Sequence, residues 1–334
     1  GEQLMELVCP AGNLISLKAA VDSGADAVYL GFRDATNARN FEGLNFNERN
    51  MQEGIAYAHA RGCRVFLALN TYPQPAGWSA WQRAIDRAAV FGFDAVIAAD
   101  IGVLAYAAKH HPELPLHLSV QGSATSYEAL RFYHEQFGVR RAVLPRVLSM
   151  AQVRQVAADS PVEVEVFGFG SLCVMVEGRC LLSSYAAGKS PNTHGCCSPA
   201  AAVEWKETPD GLQTRLGGVL IDQVGPGEHA GYPTLCKGRY EVGGNTYYAI
   251  EEPTSLNTLD LLPELAAAGI VAIKLEGRQR SPTYVRQVTG VWRAAIDVAV
   301  RDPDGYRLLP EWQRVLSRVS EGQQTTLGAY ARPW

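Results

Sequence analysis

The sequence predicts an α/β protein, a (β/α)8 TIM-barrel-like fold carrying a cysteine-rich insertion after the seventh strand. Three observations predict it. Short apolar or β-branched runs alternate with longer amphipathic segments along most of the chain, the pattern of parallel strands joined by helices. Eight such runs fall within roughly 300 residues, the number that closes a barrel. Polar residues stand where the runs end, and in such barrels the carboxyl ends of the strands carry the chemistry. An open doubly wound sheet is the alternative reading of the same alternation.

The first run is LVC (7–9), closed by PAGN, and an amphipathic helix over 14–22 ends near Gly24. AVYLGF (27–32) is the second strand, followed by a polar loop with Asn37, Arg39 and Asn45. Asn47 is suited to cap a helix that reaches residue 60, because its side chain can accept from an unpaired backbone N–H of the first turn. RVFLAL (64–69), AVIAA (95–99), LHLSV (116–120), AVLPRV (142–147) and VEVEVFGF (162–169) continue the strands. Helices over 78–90, 102–109, 127–136 and 151–157 separate them. AIKLEG (272–277) is the eighth strand, preceded by a short helix near 256–268 and followed by a long one over 282–300. The domain organisation is therefore strands one to seven in 5–171, a cysteine-rich insertion in 172–250, the end of the barrel in 251–302 and a C-terminal tail in 303–334.

The chain has 334 residues and is 47% hydrophobic, enough to build a large core. Its 30 basic and 34 acidic side chains leave a net charge of -4 with no dense Lys/Arg run, which speaks against a protein held mainly on nucleic-acid phosphates. No run approaches the roughly 18 apolar residues of a membrane span, and the opening residues lack the layout of a signal peptide. Met5 reads as a natural start, and the expected location is the cytoplasm.

Five of the seven cysteines fall between positions 173 and 236. Six residues separate Cys173 from Cys180, sixteen separate Cys180 from Cys197 and thirty-eight separate Cys197 from Cys236, with Cys196 beside the third. Four thiolates at one site suit an iron–sulfur cluster. Zinc accepts the same sulfurs, although structural zinc usually gathers ligands in tight pairs that are missing here. Buried apolar cysteines with no special role are the plainest reading.

The strand ends offer Arg39, Asn70, Asp100, Ser119, Gln121, Arg146, Glu276 and Arg278 on the face from which the cysteine segment springs. Each alone reads as a loop cap or a solvated side chain. Together they outline a polar pocket beside the thiols. GFGS and GGVL lack the spacing of nucleotide-binding loops, His194 reads as a loop residue, and the tyrosines at 232, 240, 247 and 248 read as packing around the site. No protease constellation is visible, since neither a Cys–His pair nor an HExxH motif appears.

The stretch GFGSLCVMVEGRCLLS resembles the signature of the collagenase-like peptidase family, peptidase family U-32, with Glu165, Phe167, Gly170, Ser171, Cys173, Gly178, Cys180 and Ser183 in place. MELVCPAGN, GADAVYLG, SPNTHGCCSPA, AGYPTLCKGRY and IKLEGRQRSPTYV extend the likeness toward the family's ubiquinone-biosynthesis branch. This resemblance implies a [4Fe-4S] cluster held by Cys173, Cys180, Cys197 and Cys236, with Cys196 as a rival third ligand. It further implies a heterodimer with UbiV, cooperation with the lipid carrier UbiT, and hydroxylation of a ubiquinone precursor without oxygen, with prephenate supplying the hydroxyl oxygen. Prephenate has two carboxylates, for which Arg39, Arg146 and Arg278 are the expected guanidinium partners. A sister branch that hydroxylates an RNA base, and a non-catalytic scaffold bearing the cluster, are the competing expectations.

Overall fold

Eight parallel strands pair in sequence and then close on themselves. They are β1 (Glu6–Pro10), β2 (Ala27–Leu30), β3 (Arg64–Leu69), β4 (Ala95–Ala98), β5 (Leu116–Leu118), β6 (Arg141–Val143), β7 (Glu163–Ser171) and β8 (Ala272–Leu275). β8 pairs with both β7 and β1, through Lys274 to Phe167 on one side and Ile273 to Leu7 on the other. The closure selects the barrel over the open sheet. The structure is a computed structural model that describes residues 5–34, 36, 46–173, 180–277 and 280–332. Asn37, Arg39, Asn45, Gly178 and Arg278 lie outside the described residues.

The helices on the outside start where the sequence supplies an acceptor. Asn13 caps α1 (Leu14–Asp22), Asn47 caps α2 (Glu48–Ala60), Asp100 caps α4 (Ile101–His110) and Ser126 caps α5 (Tyr127–Phe137). Ser149 and Gln152 form a reciprocal capping box at α6 (Met150–Asp159). α3 (Trp78–Phe91) has no such cap and enters through a single 3-10 turn over Pro75–Gly77. The outward residues of the strands, among them Leu7, Leu30, Leu67, Val96 and Ile273, pack beneath these helices in one continuous apolar layer.

The short helix expected near 256–268 is only half right. Ser255–Asn257 is a strand antiparallel to β7, and helix begins later, with a 3-10 turn at Leu259–Leu261 and α9 at Leu262–Ala267. Asn257 accepts the backbone N–H of Leu259 at 3.1 Å and Pro263 sits in the first turn, so the break is built locally. The sixth strand also stops at Val143, before its expected end, because Pro145 lacks the N–H that would extend it. The tail is structured: α10 (Pro282–Arg301) is followed by α11 (Pro310–Val319), Tyr306 donates to the Leu259 carbonyl at 2.6 Å, and Thr325–Thr326 pairs with Ser255–Leu256.

Between β7 and β8 the chain leaves the barrel. It forms two short helices, α7 (Leu182–Ala187) and α8 (Pro191–His194), a three-stranded antiparallel sheet and the hairpin of Arg239–Val242 with Asn245–Tyr248. The Tyr72 backbone N–H donates to the Asn192 carbonyl at 2.8 Å, which ties α8 to the loop after β3 and seats the segment over the barrel's carboxyl end. Among the described residues, no helix is long and apolar enough to cross a membrane.

Candidate active site at the barrel mouth

The barrel interior is built in levels. Val8, Ala27, Tyr29, Phe66, Ala95, Ile97 and Ala272 fill the middle. Toward the amino end, Arg141 binds three carboxylates: Glu6, Glu163 at 2.9 Å and Glu165 at 3.2 Å. Arg141 and Glu165 are sealed in, with side chains 3% and 2% exposed. Glu165, part of the family-like signature, is thus a floor residue, remote from the thiols by its register opposite Val143 and Ala272.

At the carboxyl end, strand alternation aims a second polar set inward. Asn70, Ser119, Gln121, Arg146 and Glu276, five of the eight strand-end residues expected from sequence, line one small pocket there. Arg146 donates to the Glu276 carboxylate at 2.6 Å and to the Ser171 carbonyl at 3.0 Å, and its guanidinium lies 4.2 Å from the Phe167 ring centroid. The expected carboxylate receptor is already engaged by an internal carboxylate. Asp100 takes no part, because its side chain caps α4. Ser119 accepts from the Gln121 N–H at 3.1 Å and joins the pocket wall.

Gly170 makes the meeting of β7 and β8 possible at this level. Its φ is +137°, and a Cβ there would fall 2.5 Å from the Glu276 Cβ. Any side chain would push Glu276 away from Arg146.

Gln121, Arg146 and Glu276 also line a much larger cavity of about 1320 Å³, into which Cys173, Cys180, Cys197 and Cys236 all face. Cys196 is not among its lining residues, which separates the two adjacent thiols. Hydrogen bonds fix the backbone at or beside three of these cysteines. The Cys180 carbonyl accepts from Asn192 Nδ2 at 3.1 Å, the Cys236 carbonyl from the Glu251 N–H at 3.1 Å, and Ser198, next to Cys197, donates to the Pro233 carbonyl at 2.6 Å. Tyr232 and Tyr248 contribute to the wall, and Tyr232 donates to the Ser198 carbonyl at 3.1 Å.

Burial pushes the Cys236 thiol up to about 11, with the Thr234 hydrogen bond and Lys237 opposing and Glu251 and Cys173 assisting. Burial, and then Cys197, also raise Cys196. Such thiols are poor nucleophiles without a metal to take the proton's place. Lys237 beside Cys236 would be lowered by burial, but the charge and hydrogen bond of Glu321 outweigh that and leave it raised. Glu321 also accepts from Ser171, so the end of β7, the fourth cysteine and the segment after α11 meet at one carboxylate.

Four thiols around one cavity are the donor set of a cluster, and in that chemical sense the wall fits one. Among the described residues, however, no three His, Cys, Asp or Glu side chains stand close enough together to hold a metal ion.

The sequence matches the family model of peptidase family U32 over residues 12–332. The chain belongs to this family. One similar protein, tRNA hydroxylation protein P of Escherichia coli strain K12, is 33% identical over 314 residues, covering 88% of this chain and 68% of the relative. The 23S rRNA 5-hydroxycytidine C2501 synthase of the same strain is 28% identical over 301 residues, 89% of this chain and 40% of that protein. A collagenase of Porphyromonas gingivalis is 28% identical over 328 residues, covering 94% and 70%.

Lys274 and Tyr29 are the site residues that strand-end reasoning missed. Both lie one pleat deeper than the loops. The signal was present in AIKLEG, where Ala272, Lys274 and Glu276 share the face opposite Ile273 and Leu275.

Proposed function

We propose that this chain is a UbiU-type subunit of an oxygen-independent hydroxylase acting on ubiquinone precursors. In this reading it works with UbiV and receives its substrate by way of the lipid carrier UbiT. The observation that carries the reading is a shared wall: Gln121, Arg146 and Glu276 border both the cavity of the four cysteines and the pocket of the barrel mouth. A redox group and a substrate pocket would then adjoin.

Cys173, Cys180, Cys197 and Cys236 would hold the [4Fe-4S] cluster, whose contribution is one-electron transfer. The chain's own residues do the rest. Leu172, Leu182, Ile221, Val224 and Val319 give the cavity apolar surface for a greasy ring and its prenyl chain. The carboxylate-bearing donor, prephenate, would be received at the polar mouth, with Arg278 and Arg39 as further guanidinium candidates.

The names of the relatives favour a second reading, hydroxylation of an RNA base. Charge opposes it. Of the five arginine and lysine residues described on the cavity wall, three have carboxylate partners, Arg146 with Glu276, Lys237 with Glu321, and Arg239 with Asp222 and Glu228, while Arg280 donates to the Val319 carbonyl, so most of the described basic charge there is already engaged.

The test begins with protein purified without oxygen, alone and co-expressed with UbiV. About four irons and four sulfides per chain, falling to near zero in Cys173→Ser and unchanged in Cys196→Ser, are expected. Stoichiometric zinc or no metal would remove the cluster from the proposal. Product formation from a quinone precursor, and none from unmodified RNA, is the expected second result; the reverse would transfer the chain to the RNA reading.

A further inference from the structure

The three-stranded sheet between β7 and β8 of the barrel has a bare edge. Its strands lie in the order Val219–Val224, Gly211–Leu216, Val203–Thr208, so among the described residues Val203–Thr208 is paired on one side only. Glu204, Trp205, Lys206 and Glu207 in its middle are all exposed, and Trp205 is a large apolar side chain left 45% exposed. An open edge of this length is a template for another strand.

The ladder fixes which backbone groups are free. The Gly217 N–H donates to the Ala202 carbonyl at 2.8 Å, in register with the pairing of Val203 to Leu216 and of Glu204 to Arg215. Bonded and non-bonded pairs alternate along an antiparallel ladder, so Ala202, Glu204 and Lys206 turn their backbone polar groups toward the neighbouring strand. Val203, Trp205 and Glu207 turn theirs outward. The side chains alternate as well: Trp205 pairs with Thr214, a residue of the cavity wall, and Glu204 and Lys206 project from the opposite face.

Charges on an edge usually deter pairing. Here their order selects one register. A second copy of this strand, running antiparallel, satisfies the outward groups only when odd positions meet odd positions, and three such registers keep Trp205 paired within the strand. One sets Glu204 across from itself, and one sets Lys206 across from itself, so each opposes like charges. The third sets Trp205 across from itself, Val203 across from Glu207, and each Glu204 across from the other copy's Lys206.

We propose that this edge is a self-association surface: two copies of the chain pair antiparallel through Val203–Thr208 about a two-fold axis at Trp205. The occupant is a second copy because the order Glu, Trp, Lys is its own charge complement when reversed. Main-chain bonds from Val203, Trp205 and Glu207 hold the pair, and the two Glu–Lys contacts set the register. The joined sheet is continuous and carries both cysteine cavities on the same face. This surface is independent of the functional reading above.

The experiment is sedimentation velocity on the full chain purified without oxygen, with Glu204→Lys and Lys206→Glu run singly and mixed. The wild type is expected to be a dimer. Either variant alone opposes like charges twice and should weaken dimerisation about tenfold or more. The mixture restores both contacts between a copy with two lysines and a copy with two glutamates, and should dimerise again. Trp205→Ala should weaken the dimer about threefold or more. Circular dichroism checks that each variant is folded. Should Glu204→Lys fail to fold beside Arg215, Trp205→Pro takes its place, since it removes an outward N–H that the ladder does not use. A wild type that stays monomeric at micromolar concentration, a dimer unchanged in the folded variants, or a mixture that does not pair would overturn the proposal. A complex formed only with UbiV and lost in the same variants would give the edge to a different chain and overturn self-pairing.

Discussion

The two ends of the barrel interior both bury charge, and they do so for different ends. At the floor, Arg141 is surrounded by Glu6, Glu163 and Glu165, and its charge is answered wholly within the protein. At the mouth, Arg146 and Glu276 answer each other, Lys274 stands beside them, and the same wall opens into the cysteine cavity. Charge that is fully paired and sealed holds strands together, whereas charge that borders an open cavity is available to a ligand. Burial alone does not distinguish them, because Glu165 and Glu276 are 1% and 5% exposed. The distinction is what lies on the other side of the side chain.

Variants at the two arginines bear most directly on that contrast. Arg141→Met should leave Glu165 buried without its main partner and cost about 3–5 kcal/mol of unfolding free energy, read from the urea midpoint. Arg146→Met should cost less, about 1–3 kcal/mol, because Glu276 borders a cavity that water can enter, while hydroxylation falls to background. Equal losses of stability, with activity retained in the second variant, would erase the difference between floor and mouth.

His117 sharpens the comparison through pH. It lies in the interior at β5, its ring 4.8 Å from that of Phe66 in an edge-to-face contact, and burial, followed by the charges of Arg141, Arg64, Lys274 and Arg140, holds its pKa well below the usual value. A depressed histidine binds its proton in the unfolded chain first, so its contribution is complete above about pH 6.5 and is lost as pH falls below that value. The slope from this one group is at most about 1.4 kcal/mol per pH unit. His117→Asn should flatten the acid side of a urea-midpoint profile, and a profile parallel to wild type would remove His117 from the floor's electrostatics.

The smallest effect is expected at Glu321→Gln. It loosens the bond to Lys237, whose partners are 14% and 24% exposed, by about 0.5–1 kcal/mol in thermal unfolding. A loss as large as that of Arg141→Met would mean that the segment after α11 belongs to the barrel's framework and does more than close the cavity wall.

Much of this was legible in the linear chain. The strand and helix alternation gave the barrel, since period-two runs and capped amphipathic segments are local properties, and Asn13, Asn47, Ser126 and Ser149 cap where their neighbours in sequence need them. Asn70, Gln121, Arg146 and Glu276 were found because residues at strand ends converge in any closed barrel. The strand at Ser255–Asn257 was not legible, because its apolar residues suit a helix equally well and only the partner, β7, decides between them.

The sequence by itself determined the family, the eight-strand alternation and the supply of four thiols that one cavity could share. Tertiary structure decided the rest. It placed Glu165 at the floor and Glu276 at the mouth although both are buried glutamates, one within β7 and one just past the end of the adjacent β8, turned Cys197 but not Cys196 toward the cavity, engaged Arg146 with Glu276, and left Lys274 lining the deepest pocket. The physical reason is that a charge's role depends on its partners across the barrel, which lie as far as 135 positions away in the case of Arg141 and Glu6, and no local pattern specifies contacts at that separation.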